Sequence, residues 1–180
     1  MVAQIWPDSG ALQGLNKRMQ LRPQSLAEIA RESSALEDFG RHVRDFLHEW
    51  NRAKRDGKDL TTILGEEPRL LAAAFRQGDV CDAFLAALGE HLAEQAAIAV
   101  PAWVRGADRR LATPWYPSEG EALREHYRRE ALRPFRERNL FVPASALAVV
   151  RRIASPAANV PRVITVPIFE PTHRPCRKVH

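Results

Sequence analysis

Apolar residues recur at helical spacing along most of the chain. Leu36, Phe39, Val43, Phe46, Leu47 and Trp50 fall on one side of a roughly 3.6-residue period, while Arg41, Arg44, Asp45, Arg52 and Arg55 take the other sides. This predicts an amphipathic helix over 35–55, closed by Asp56-Gly57. A second strong stripe, Val80, Phe84, Leu85, Leu88, Leu92 and Ala96, predicts a helix that starts at an Asp79 cap and is stopped by Val100-Pro101. Ahead of both, Ser25 with Glu28 three residues on forms a capping-box pattern before Leu26, Ile29 and Ala30, and this helix should end near Ser33-Ser34.

Shorter helices are expected over Asp59–Leu64 and Pro68–Arg76, the second with proline tolerated in its first turn. Pro101–Gly120 is expected to be loop, with single turns near Ala102 and Leu111. Glu121–Arg133 is again helical in pattern, with Leu123, Tyr127 and Ala131 on one face and a stop or kink at Pro134. Asn139–Pro143 should be extended, and Ser145 is positioned to cap a last helix over Ala146–Ile153. Strand-like composition appears only at Arg162–Val166, which Pro161 and Pro167 confine to a short piece. The expected fold is all-α: a single compact bundle of five to seven helices, with a Trp-rich loop packed across it and a Pro-rich, basic C-terminal tail. In domain terms this gives an irregular segment over 1–24, a helical domain over 25–153 and an extended or disordered tail over 154–180.

Composition adds compartment and charge. A chain of 180 residues suits one domain with a real core. No apolar run approaches the roughly 20 residues needed to cross a bilayer, and the N-terminus lacks the basic-then-apolar order of a secretory signal. Cys81 and Cys176 are too few for a disulfide framework and are not spaced as a metal pair, which points to the cytoplasm. The net charge of +5 is unevenly spread: residues 35–99 hold 12 acidic against 8 basic groups, whereas 143–180 hold 1 against 6. Arginine dominates the basic part, which suits bidentate contact with carboxylate or phosphate, although a codon bias toward arginine and alanine accounts for it equally well.

Catalytic patterns are missing from the sequence: it has no G-x-S-x-G, no phosphate-binding glycine loop and no H-E-x-x-H. His42, His48, Cys81 and His91 lie on the two strongest helices, and Asp45 stands one turn from His48. Bundle di-metal sites need this carboxylate–imidazole unit twice, plus two further carboxylates, so Asp45 and His48 are read as a surface pair. Cys81 is read as a small apolar residue. No metal, cofactor or catalytic residue is expected. Ser25–Ala30 looks like the first helix of a helix-turn-helix, but the next helix opens with Glu37 and Asp38, which oppose phosphate.

The densest candidate surface is Pro101–Leu147. It combines Trp103, Trp115 and Tyr116 with Arg124, Arg128, Arg129, Arg133, Arg136 and Arg138 around Phe135 and Phe141. Aromatics beside arginines suit a protein-binding hot spot. The alternative is that the tryptophans pin the loop to the bundle while Glu121 and Glu125 pair with the arginines. Arg151, Arg152, Arg162, Arg174, Arg177 and Lys178 form the basic tail, a possible contact for nucleic acid.

The chain resembles a group of small helical bacterial proteins found as the antitoxin or regulator member of two-gene, toxin–antitoxin-type modules. The resemblance spans about residues 25–148. Its carriers are Asp38-Phe39-Gly40, Arg44-Asp45-Phe46-Leu47, Pro101-Ala102-Trp103, Pro114-Trp115-Tyr116, Pro134-Phe135-Arg136-Glu137-Arg138-Asn139-Leu140-Phe141-Val142 and Ser145-Ala146-Leu147. It implies a non-enzymatic interaction protein that binds and neutralises a toxin protein encoded nearby. Some members carry an N-terminal helix-turn-helix; the N-terminal segment here is shorter than such a unit, and the tail beyond Leu147 lies outside the resemblance. A DNA-binding, autoregulatory role is the alternative, and a metal-dependent or hydrolytic enzyme stands third.

Overall fold

A computed structural model describes residues 22–147. Six α-helices carry this part: α1 Leu26–Glu32, α2 Leu36–Arg55, α3 Leu60–Gly65, α4 Gly78–Ala96, α5 Glu121–Glu130 and α6 Arg133–Arg136. Short 3-10 turns lie at Ala102–Arg105, Ala107–Arg109 and Ala144–Leu147. Among the described residues the only strand-type pairing is an isolated parallel bridge between Trp115 and Leu140. The fold is therefore all-α. The tail beyond 153, its strand-like piece and the expected helix past Leu147 lie outside the described residues.

The centre of the bundle is α4. Every residue from Val80 to Gly89 is buried, so this helix is enclosed on all sides rather than along one stripe. α2, α3, α6 and the first two 3-10 turns all pack on it. Phe84 sits edge-to-face between Phe39 of α2 and Phe135 of α6, with ring centroids 5.8 and 5.3 Å away. α2 buries Phe39, Val43, Phe46, Leu47 and Trp50, the stripe expected from its spacing. Ser25 accepts from the Glu28 N–H at 3.1 Å, and the Glu28 carboxylate reaches back to the Gln24 N–H. At the other end of α1, Ser33 donates to Ile29 O at 2.7 Å and lies 3.2 Å from Nδ1 of the buried His42.

The structure corrects three boundaries. Pro68–Arg76 is not a helix but a chain of turns, although its composition favours a helix. The N–H groups of Leu71 and Ala72 are taken by the carboxylate of Asp82, at 2.9 to 3.0 Å, and so are lost to a helical ladder. Asp79 does not cap α4, which is entered instead through Gln77 at a left-handed φ of 67°. Gly78 is required there, because a Cβ at that position would lie 1.9 Å from the carbonyl oxygen of Leu71. The predicted helix 121–133 breaks at Ala131-Leu132 and restarts as α6, with Pro134 in its first turn, where its missing N–H costs nothing.

Candidate interaction surface

The residues around Trp103 turn inward. Trp103 is buried, and its indole N–H donates to Leu64 O at 3.0 Å. Its ring lies against Gly89 of α4 and 5.4 Å beneath the guanidinium of Arg109. It thus clamps the first 3-10 turn to α3 and α4. Arg138 is also buried: it donates to Pro134 O and Val104 O, each at 2.8 Å, and pairs with Glu90 at 2.7 Å. Arg133 is half exposed but held by Glu90, Glu94 and Glu137. The hydrogen bond and charge of Glu137, then of Glu94, raise its pKa above the ordinary arginine value. Arg136 is exposed and makes no ion pair among the described residues.

Other residues of the same stretch turn outward, and a simple backbone rule decides which. Trp115 N–H donates to Asn139 O at 2.8 Å, and Phe141 N–H donates to Trp115 O at 3.0 Å. Side chains alternate across such an extended pairing. Leu140 and Val142 are buried, and Trp115 packs against the core with them. Tyr116 and Phe141 fall on the opposite side, partly buried, and stack nearly parallel with centroids 5.0 Å apart.

α5 brings arginine to this stack. Arg124 and Arg128 are one turn apart, and each guanidinium carbon lies 5.4 Å from the Tyr116 ring centroid. Arg128 Nε donates to the Tyr116 hydroxyl at 3.0 Å, and Nη1 reaches Glu121 and Glu125 at 3.2 and 3.4 Å. The bonds to Tyr116 and then Glu121 raise the pKa of Arg128 above the ordinary arginine value. Arg124 pairs more loosely with Glu121, at 3.9 Å, and its Nε has no hydrogen-bond partner among the described residues. Leu123, on the same helix, is 46% exposed. The result is a fixed ladder of Phe141, Tyr116 and two guanidinium groups, outside the core.

Of the residues singled out from sequence, then, the structure gathers Tyr116, Arg124, Arg128 and Phe141 into one surface. It places Trp103 and Arg138 in the core, and Trp115 at its edge. Arg151, Arg152, Arg162, Arg174, Arg177 and Lys178 lie outside the described residues.

The enzyme candidates remain scattered. Asp45 and His48 are half-buried on α2. Burial pushes the Cys81 thiol far up, disfavouring a thiolate, and pushes the half-buried His91 imidazole down. No group of three or more His, Cys, Asp or Glu among the described residues is placed to hold a metal ion. No described helix is long and apolar enough to cross a membrane.

Sequence reasoning missed the most buried charges. Asp82 is fully buried, accepts from Leu71 and Ala72, and pairs at 3.4 Å with Arg109, itself 1% exposed. Burial raises the pKa of Asp82, against the two N–H groups and the Arg109 charge that lower it. Arg109 also reaches Glu67 at 3.3 Å and the carbonyl oxygen of Pro68. The warning was legible: a lone aspartate inside the run Val80–Gly89 must find partners there. Comparison with protein-family models, curated proteins and solved structures finds no match to this chain.

Proposed function

We propose that this chain is a non-enzymatic interaction protein, an antitoxin-like partner that binds a toxin protein encoded beside it and covers that protein's active surface. The observation that carries this reading is the partly exposed ladder of Phe141, Tyr116, Arg124 and Arg128. Tyrosine and arginine are the residues on which protein interfaces most often concentrate their binding energy, and here both are held in place before a partner arrives. The resemblance at Pro114–Tyr116 and Pro134–Val142 supports the same reading, since those segments supply the two aromatic rings of the ladder, Tyr116 and Phe141.

The test is co-expression with the neighbouring gene product, followed by a titration of the purified pair. Binding at micromolar concentration or tighter is expected, and Tyr116→Ala should weaken it by about 30-fold, the effect of losing a hot spot of ~2 kcal/mol. A pair that does not associate at micromolar concentrations would sink the proposal.

A DNA-binding regulator is the alternative, supported by the excess of basic residues over 143–180. Its test is a mobility-shift assay on the gene's own promoter across salt. Phosphate contacts demand affinity that falls steeply as salt rises, so retention without that dependence would remove it.

A further inference from the structure

The segment Pro68–Arg76 has the composition of a helix and the structure of a loop. Proline stands where a first turn tolerates it, Leu70 to Ala74 are strong helix formers, and Glu66, Glu67 and Arg76 sit at the ends that the helix dipole favours. Two turns are already present, with Ala74 N–H bonded to Leu71 O at 2.8 Å and Gly78 N–H to Phe75 O at 3.0 Å. One particular pair of groups is kept apart. In a helix the Ala72 N–H would donate to the Pro68 carbonyl. Here Asp82 holds the Ala72 N–H and Arg109 holds the Pro68 carbonyl. The Leu71 N–H, whose helical acceptor would be Glu67 O, is also on Asp82.

We infer that the buried Asp82–Arg109 pair is a clasp holding a latent helix open: segment 68–76 has two stable forms, and the ion pair selects the loop. Three further features fit a device rather than passive packing. Arg69 anchors the outer side of the segment by donating to Ala30 O at 2.9 Å, so the loop is pinned at both flanks. Gly78 lets Leu71 O approach α4 to a distance that any Cβ would forbid. Leu70, 45% exposed, and Ala72–Ala74, also exposed, sit on the segment, so a change of form would redraw an apolar part of the surface. The reading does not depend on the proposed toxin partner.

The experiment is backbone NMR on the full chain, comparing wild type with Asp82→Leu/Arg109→Met, which replaces the pair by apolar groups, and with Asp82→Asn, which keeps the shape and removes the charge. A buried pair exchanged for apolar residues is often tolerated. In the double variant, Cα shifts over 69–75 should move from turn-like to helical values, while α2 and the part of α4 beyond the turn around position 82 keep helical shifts; Asp82→Asn should move part of the way. Adding Ala73→Gly and Ala74→Gly to the double variant should reverse the change, because glycine disfavours the helix alone. Wild-type shifts over 69–75 in either folded variant would overturn the inference. Loss of the native fold in both variants would overturn it too, by showing that the pair is a requirement of folding and not a selector of form.

Discussion

Replacing Arg138 with methionine separates a core arginine from a recognition arginine. Arg138 donates two hydrogen bonds of 2.8 Å, to Pro134 O and Val104 O, and pairs with Glu90 at 2.7 Å, while its side chain is 8% exposed. Hydrogen bonds from a charged donor are each worth ~1.5–3 kcal/mol. Methionine restores part of the packing and avoids burying a charge, and Glu90 keeps Arg133 at 3.2 Å. The net cost should therefore be ~2–4 kcal/mol. For a domain of this size ~1 kcal/mol lowers Tm by about 3 °C, so a fall of roughly 6–12 °C is expected. Differential scanning fluorimetry and urea unfolding would measure it, with Arg136→Met as the control. Arg136 is exposed and unpaired among the described residues, so its loss should stay within about 0.5 kcal/mol. Equal, near-zero effects at 138 and 136 would refute the reasoning and return Arg138 to the surface.

Three further outcomes are expected. Gly78→Ala should destabilise by ~3 kcal/mol or more in urea unfolding, since its Cβ meets backbone rather than a movable side chain; wild-type stability would show that the approach of Leu71 to α4 is relaxed in solution. In a Cys176→Ala background, Cys81 should resist a thiol reagent near neutral pH until denaturant is added, because burial holds the thiol protonated; fast native labelling would contradict its enclosure. The His91 imidazole should titrate below its ordinary value near 6.5. The unfolded chain then binds this proton first as pH falls, so stability should drop on acidification below about 6.5; a His91→Gln variant should lose that component of the pH dependence, and an unchanged profile would count against it.

Periodicity made α1, α2, α3 and α4 legible because each carries an apolar stripe or a cap strong enough to survive its surroundings. The failure at 68–76 has a definite cause. Local propensity favoured a helix there and was blind to Asp82 and Arg109, which lie 10 and 41 residues from the groups they capture. The loop was harder still. Trp103 and Tyr116 are both aromatic residues near prolines and arginines, and nothing local says which faces in. The decision rests on pairing between Trp115 and Leu140, a contact across 25 residues that sets the alternation. Arg138 and Arg128 look alike in sequence for the same reason. One ends among buried carbonyls, the other over a tyrosine ring, because α6 lies against α4.

That bridge also determines where the chain will accept a change of length. Leu111 N–H is bonded to Arg138 O at 3.2 Å and Trp115 N–H to Asn139 O, so residues 111–115 are tied at both ends to one partner segment. Deleting one residue between them would turn Tyr116 toward the core and Trp115 toward water, exchanging two aromatic faces with a single codon. Past the bridge, Glu119 and Gly120 are exposed and precede α5, where extra residues disturb no such register. A peptide tag or a fluorophore belongs at 119–120, while 112–114 will tolerate substitution but not insertion.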